Sequence, residues 1–273
     1  MSKPSIQKAE AAHQPLFASP YLRSLWSADY EAWRQSDTPQ ALLENLRGWA
    51  AKDWQKETAA EGTFVDVFFK TIWGYTASGQ PDFKSIWGNT AGGQTDATQG
   101  FTLQTQYAVK NAGQKGGTGE ADIALGHFGR DDLEPVPQVL GEFKDDRSGL
   151  DKEQNRSNRR SPVDQCFDYL RESRVGRVSQ VLPTWAVVTD MNEFRLYIYG
   201  NKAQYQRFVL KPTTGDLAIS LLDESEEASF QRFVFARIFH ADWLLANAGK
   251  SPLERLLREQ LTHERALESE FYK

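Results

Sequence analysis

The chain is nearly devoid of cysteine: Cys166 stands alone among 273 residues. No internal disulfide can form, and zinc sites built from several thiolates are excluded. Such usage fits a reducing compartment, and a cytoplasmic location is expected. Long apolar runs are missing too. Nothing approaches the roughly 18 consecutive apolar residues of a membrane span. The polar start MSKPSIQKAEAAHQ has no stretch of the signal-peptide kind. The four histidines, His13, His127, His240 and His263, show no metal-ligand spacing. The glycine-rich run Gly113–Gly119 lacks the Lys-Ser/Thr ending of a phosphate-binding loop, so it reads as a turn. Nor is there an excess of positive charge: 32 Lys and Arg face 37 Asp and Glu, a formal net charge of −5. That balance argues against a protein that coats nucleic acid non-specifically, since such affinity comes from neutralised phosphates. It leaves room for a site where carboxylates await a divalent cation.

What is present is core material. Eight Trp and sixteen Phe supply enough apolar mass for a packed interior. Residues 1–14 read as a flexible leader. From about 15 to 56, Leu22, Leu25, Trp26, Tyr30, Trp33, Leu42, Leu43, Leu46, Trp49 and Trp54 recur at helical spacing and predict two or three helices. A further helix is expected from about Glu57 to Trp73, with Ala60, Phe64, Val65, Phe68, Phe69 and Ile72 as its apolar stripe. Residues 76–100 read as an exposed loop rich in Gly, Thr, Ser and Asp. Strands are expected at Thr102–Asn111, Ala121–Phe128 and Val136–Lys144, then a helix over 162–173. Strands at Thr184–Thr189, Glu193–Tyr199 and Gln204–Leu210 follow, with helices at about 226–248 and 252–272. This order predicts an α/β protein, a mixed central β-sheet flanked by helices with helical additions at both ends. Residues 15–225 are expected to form the main domain and 226–273 a helical extension or connector.

Two strand segments carry chemistry. In GEADIALG, Asp122 and Ala124 alternate with Ala121, Ile123 and Leu125, so Asp122 should point away from the main apolar face. In VLGEFKDD, Glu142 and Lys144 project from one face of their strand and Phe143 from the other. An acid on each of two strands can share a hard divalent ion with water and a phosphate oxygen, and Mg2+ suits a site of one or two carboxylates. A lysine there can sit beside the attacking water or stabilise charge developing on phosphorus. Plainer readings stand beside these. Asp122 can close the preceding turn, and Glu142 with Lys144 can be a solvated edge pair. The charged stretch 144–160, with Lys144, Arg147, Lys152, Arg156, Arg159 and Arg160, can be a solvated loop or a phosphate-contacting arm.

Asp122 followed after nineteen residues by Glu142–Phe143–Lys144 resembles the PD-(D/E)xK nuclease superfamily, with Ala121 where that family often has proline. The Ser161–Pro162 helix start and the pair Gln165 and Tyr169 resemble the Q-x-x-x-Y signature of several of its branches. The resemblance implies a restriction-endonuclease-like core with metal held by Asp122, Glu142 and the Phe143 main-chain carbonyl. It implies that Gln165 reaches toward the metal site and that Tyr169 helps place the substrate phosphate. Glu61 fits the acid that the first helix often contributes, though a first-turn acid favoured by the helix dipole is an equal alternative. The runs ETAAEGTFVDVFF, SPVDQCFDYL and WAVVTDMNEFRLY extend the likeness to the nuclease part of type IIG restriction–modification enzymes, over roughly residues 15–273. There the nuclease precedes a helical connector and an adenine methyltransferase. Mg2+ is then the expected cofactor, with Mn2+ able to substitute, and double-stranded DNA the expected partner. Lys144, Arg147, Arg156, Arg159, Arg160 and Tyr169 are the expected DNA contacts. No NPPY or DPPY tetrapeptide occurs, so methylation is expected to fall to another domain or a partner chain. The competing reading is a module that keeps the nuclease fold and binds DNA or protein without cleaving; a stand-alone RNA or phage-defence nuclease is a third.

Overall fold

The computed structural model describes residues 13–52, 57–79, 85–87, 100–130, 132–133, 135–144, 149–153 and 160–271. A six-stranded sheet runs through it in the order β1 to β6, with strands at Phe101–Val109, Gly119–Phe128, Pro137–Phe143, Trp185–Thr189, Glu193–Ile198 and Asn201–Val209. Five helices precede or cross the sheet: α1 (Ser19–Leu25), α2 (Ser27–Arg34), α3 (Thr38–Ala50), α4 (Glu57–Phe64) and α5 (Pro162–Arg174). Three follow it, α6 (Glu226–Ile238), α7 (Ala241–Leu244) and α8 (Pro252–Phe271). Neighbouring strands are antiparallel except β3 and β4, which are parallel and joined across α5. The expected mixed α/β architecture is therefore what forms. No helix among the described residues is long and apolar enough to cross a membrane.

Parallel central strands need cover on both faces, and β3 is buried along its whole length. On one face Ile123, Leu125, Val139, Phe143, Trp185, Val187 and Phe194 join a core with α1–α4 and α6. The Phe143 ring meets Phe64 edge-on at 5.1 Å. With Phe143 fully buried, truncation to alanine there is expected to cost about 3–5 kcal/mol. On the other face Ala121, Ala124, Leu140, Ala186 and Val188 pack against Val163, Cys166, Phe167 and Leu170 of α5. The α5 start is the cap read from the sequence: Ser161 Oγ accepts from the Asp164 amide, and Asp164 answers in a capping box, with Pro162 in the first turn.

Two sequence expectations change. The helix expected to run unbroken to Trp73 becomes π-helical over Val65–Ile72, with the Trp73 amide donating five residues back to Phe68 at 2.9 Å. The helix expected over 226–248 breaks at His240. There the imidazole Nδ1 accepts from the Asp242 amide at 3.2 Å, and the Ala241 amide is taken by the Trp73 carbonyl at 2.9 Å. Phe230, Phe233 and Phe235 of α6 lie in the same core as the sheet. The last two residues of the expected leader are also engaged: His13 stacks on Tyr205 at 4.5 Å and Gln14 pairs with Gln204.

Candidate active site

Where β2 and β3 part, a polar site is built. Their ladder reaches as far as the Ile123–Gly141 pair. One residue further along β2, the Asp122 side chain takes over the work of the backbone: its Oδ2 accepts from the Phe143 amide at 2.5 Å. On its other edge β3 stays paired with β4, through Glu142 with Val188 and Phe143 with Thr189, and the Lys144 amide donates to the Thr189 carbonyl at 2.8 Å. The fork thus presents Asp122 against the amide of Phe143, the residue between Glu142 and Lys144.

Side-chain alternation breaks at this point. Ile123 belongs to the core on the α4 face and Ala121 to the core on the α5 face. The simple alternation expected across Ala121–Leu125 therefore holds only from Ile123 onward. Asp122 sits where the strand changes face, half-buried, with its carboxylate turned along the sheet toward β3.

Glu142 is 1% exposed. A carboxylate removed from water is costly unless a charge and hydrogen bonds replace the solvent. Lys144 Nζ lies 2.7 Å from Glu142 Oε1, and Gln165 Nε2 donates to the same oxygen at 2.8 Å. The second proton of the Gln165 amide goes to the Tyr169 hydroxyl at 2.6 Å. The Tyr169 hydroxyl in turn donates to the Glu120 main-chain oxygen at 2.8 Å. A chain of hydrogen bonds thus runs from β2 through α5 to the carboxylate on β3. Burial, then the negative charges of Glu142 and Asp122, push the Tyr169 phenol and the Cys166 thiol upward. Both remain protonated at neutral pH.

Asp122, Glu142, Lys144, Gln165 and Tyr169 are therefore brought together. Tyr169 is 2% exposed and its one proton is committed to the Glu120 carbonyl. In this arrangement the hydroxyl supports Gln165. Arg160, another expected DNA contact, donates to Asp168 at 2.7 Å and to the Ala112 carbonyl at 3.1 Å, which ties it to α5 and the β1–β2 turn. Arg147, Arg156 and Arg159 lie outside the described residues. Glu61 is half-buried on α4, the helix that packs Phe64 on the Phe143 side of the sheet. No three His, Cys, Asp or Glu side chains among the described residues group as metal ligands, so Glu61 does not complete a triad with Asp122 and Glu142.

Sequence reasoning missed Gly119. A Cβ there would stand 2.7 Å from Tyr169 Cε1 and 3.0 Å from the Ala112 carbonyl carbon. The glycine admits the Tyr169 ring beneath the start of β2. Its only sequence signal was membership of a glycine-rich turn. Comparison of the chain with family models, with curated proteins and with solved structures finds no match. The functional reading stands on these side chains.

Proposed function

We propose that this chain is a Mg2+-dependent DNA endonuclease domain that hydrolyses phosphodiester bonds, the restriction half of a type IIG restriction–modification protein. The observation that carries the reading is the Asp122 carboxylate seated on the Phe143 amide, directly between Glu142 and Lys144. The donor set fits a hard cation: two carboxylates on neighbouring strands, with the Phe143 main-chain carbonyl proposed as a third oxygen. Bound there, Mg2+ would neutralise charge on the reacting phosphate and lower the pKa of a coordinated water.

The protein's own groups have separate tasks. Asp122 and Glu142 hold the charge that attracts the cation. Lys144 balances Glu142 in the resting site and offers its ammonium protons to the attacking water or to the charge growing on phosphorus. Gln165 fixes the rotamer of Glu142 through Oε1. Tyr169, anchored on β2, fixes Gln165. Double-stranded DNA is the substrate in this reading, and sequence recognition and adenine methylation belong to another domain or a partner chain.

The experiment is plasmid cleavage by the full-length protein with Mg2+ or Mn2+, beside Lys144→Ala from an identical preparation. Metal-dependent nicking or cleavage that disappears with Lys144 is expected. Equal activity of the two proteins, or none from the wild type at any metal concentration, would remove the nuclease reading and leave a non-cleaving module of the same fold.

A further inference from the structure

β1 carries one residue that its strand does not explain. Gln106 has φ +52° in the middle of an extended strand. The other described non-glycine residues with positive φ, Asn111, Lys115 and Met191, lie in turns. A left-handed backbone is unfavourable for a residue with a Cβ and persists when the surroundings impose it. The position is specific. The β1–β2 ladder pairs Thr105 with Ile123 and Tyr107 with Ala121, so Gln106 stands across from Asp122. The change of face seen at Asp122 is matched on β1, where Leu103 joins the core on the α4 face and Val109 the core on the α5 face. Gln106 is the hinge of that change.

Among the described residues no side-chain hydrogen bond of Gln106 offsets the strain. The Gln106 side chain is exposed, and its amide makes no hydrogen bond to another described residue. Its neighbours Gln104 and Thr105 are exposed as well, and β1 carries no charged residue from Phe101 to Val109. β1 is an edge of the sheet. An uncharged strip of amide and hydroxyl groups thus borders the Asp122 carboxylate on its outer side. The strip itself adds no negative charge beside the two acids, and amide N–H groups are suitable donors to phosphate oxygens.

We infer that Gln106 is a DNA-contacting residue of this site: its left-handed backbone aims the amide at a backbone phosphate next to the one held at Asp122 and Glu142. The inference rests on the nuclease reading for the identity of the polyanion.

Three variants separate the backbone from the side chain. Gln106→Gly relieves the strain and removes the amide, Gln106→Asn keeps an amide on a residue that tolerates positive φ, and Gln106→Ala keeps the strain alone. Thermal melts and duplex binding, by fluorescence anisotropy in Ca2+ to hold cleavage back, are measured on the full-length protein, and cleavage is then measured in Mg2+. Gln106→Gly is expected to melt higher by about 2–4 °C while binding duplex about tenfold more weakly, the value of one hydrogen bond to a charged group. Gln106→Ala should bind as weakly as the glycine variant without the gain in melting temperature, and Gln106→Asn should retain part of the affinity. Affinity within twofold of wild type for both the glycine and alanine variants would overturn the inference. If wild type binds duplex in a Gln106-dependent way yet cleaves nothing in Mg2+, the contact stands and the nuclease reading falls. If wild type binds no duplex, both fall.

Discussion

The Tyr169 hydroxyl accepts from Gln165 Nε2 at 2.6 Å while giving its own proton to the Glu120 main-chain oxygen. This makes Tyr169 a positioning residue, one step removed from the reacting atoms. Tyr169→Phe keeps the ring and removes the acceptor that holds the Gln165 amide. Turnover on DNA is expected to fall about tenfold, the weight of one hydrogen bond, with KM within about twofold of wild type. Steady-state kinetics on a short duplex decide it. A rise in KM with unchanged turnover would mean that Tyr169 touches the DNA.

The ring needs the space that Gly119 leaves. Gly119→Ala puts a Cβ against Tyr169 Cε1 and the Ala112 backbone, a local overpacking expected to cost about 1–3 kcal/mol. Urea denaturation measures it. Stability equal to wild type would show that the start of β2 can shift without penalty.

Lys144 has a structural duty beside its chemical one. Glu142 is buried, and Lys144→Ala withdraws the ammonium that balances it. A loss of about 3 kcal/mol at pH 7 without metal is expected. The double variant Lys144→Ala with Glu142→Gln should recover most of that stability, though no cleavage, because a neutral amide no longer requires a counter-charge. Chemical denaturation of wild type and the two variants tests this. A double variant no more stable than Lys144→Ala would contradict it.

Acid should weaken the fold through β5 and β6. Burial pushes the Glu193 carboxyl up, but hydrogen bonds and charge from Arg207 and Arg195 outweigh it and hold it below the ordinary 4.5. Arg207 likewise holds Asp216 below 3.8. Groups depressed in the folded state add stability that is present above their unfolded pKa and lost as pH falls through the folded value. Asp190 runs the other way: burial raises it, so its contribution is present at low pH and lost as pH rises through its raised value. As Glu193 and Asp216 lose their ion pairs with the arginines, the melting temperature is expected to drop from about pH 5 downward. Glu193→Gln should lower the melting temperature at pH 7 and flatten the slope below pH 5. An acid limb as steep as that of wild type would assign the pH dependence elsewhere.

Much of this was legible in the residues. Periodicity placed the six described strands, because alternation and β-branched or aromatic content are local properties, and Ser161–Pro162 announced the cap of α5. The pair Glu142 and Lys144 followed from the two-residue repeat of a strand. What escaped depends on tertiary contacts. The stripe of Phe64, Val65, Phe68 and Phe69 suits an α-helix or a π-helix equally, and only packing against Phe143 and Phe194 chooses. The break at His240 comes from the Trp73 carbonyl, far away in the chain. Gln106 looks like any polar strand residue until the register sets it opposite the fork at Asp122. The partner of the Tyr169 hydroxyl is a main-chain oxygen, which no motif of side chains specifies.

Calorimetric titration of the full-length protein with Mn2+ asks whether two acids on separate strands act as one cation site. Saturable binding by wild type, lost in both Asp122→Ala and Glu142→Gln and kept in Gln106→Ala, is the expected result. Binding by Asp122→Ala that matches wild type, or no binding by wild type, would contradict it.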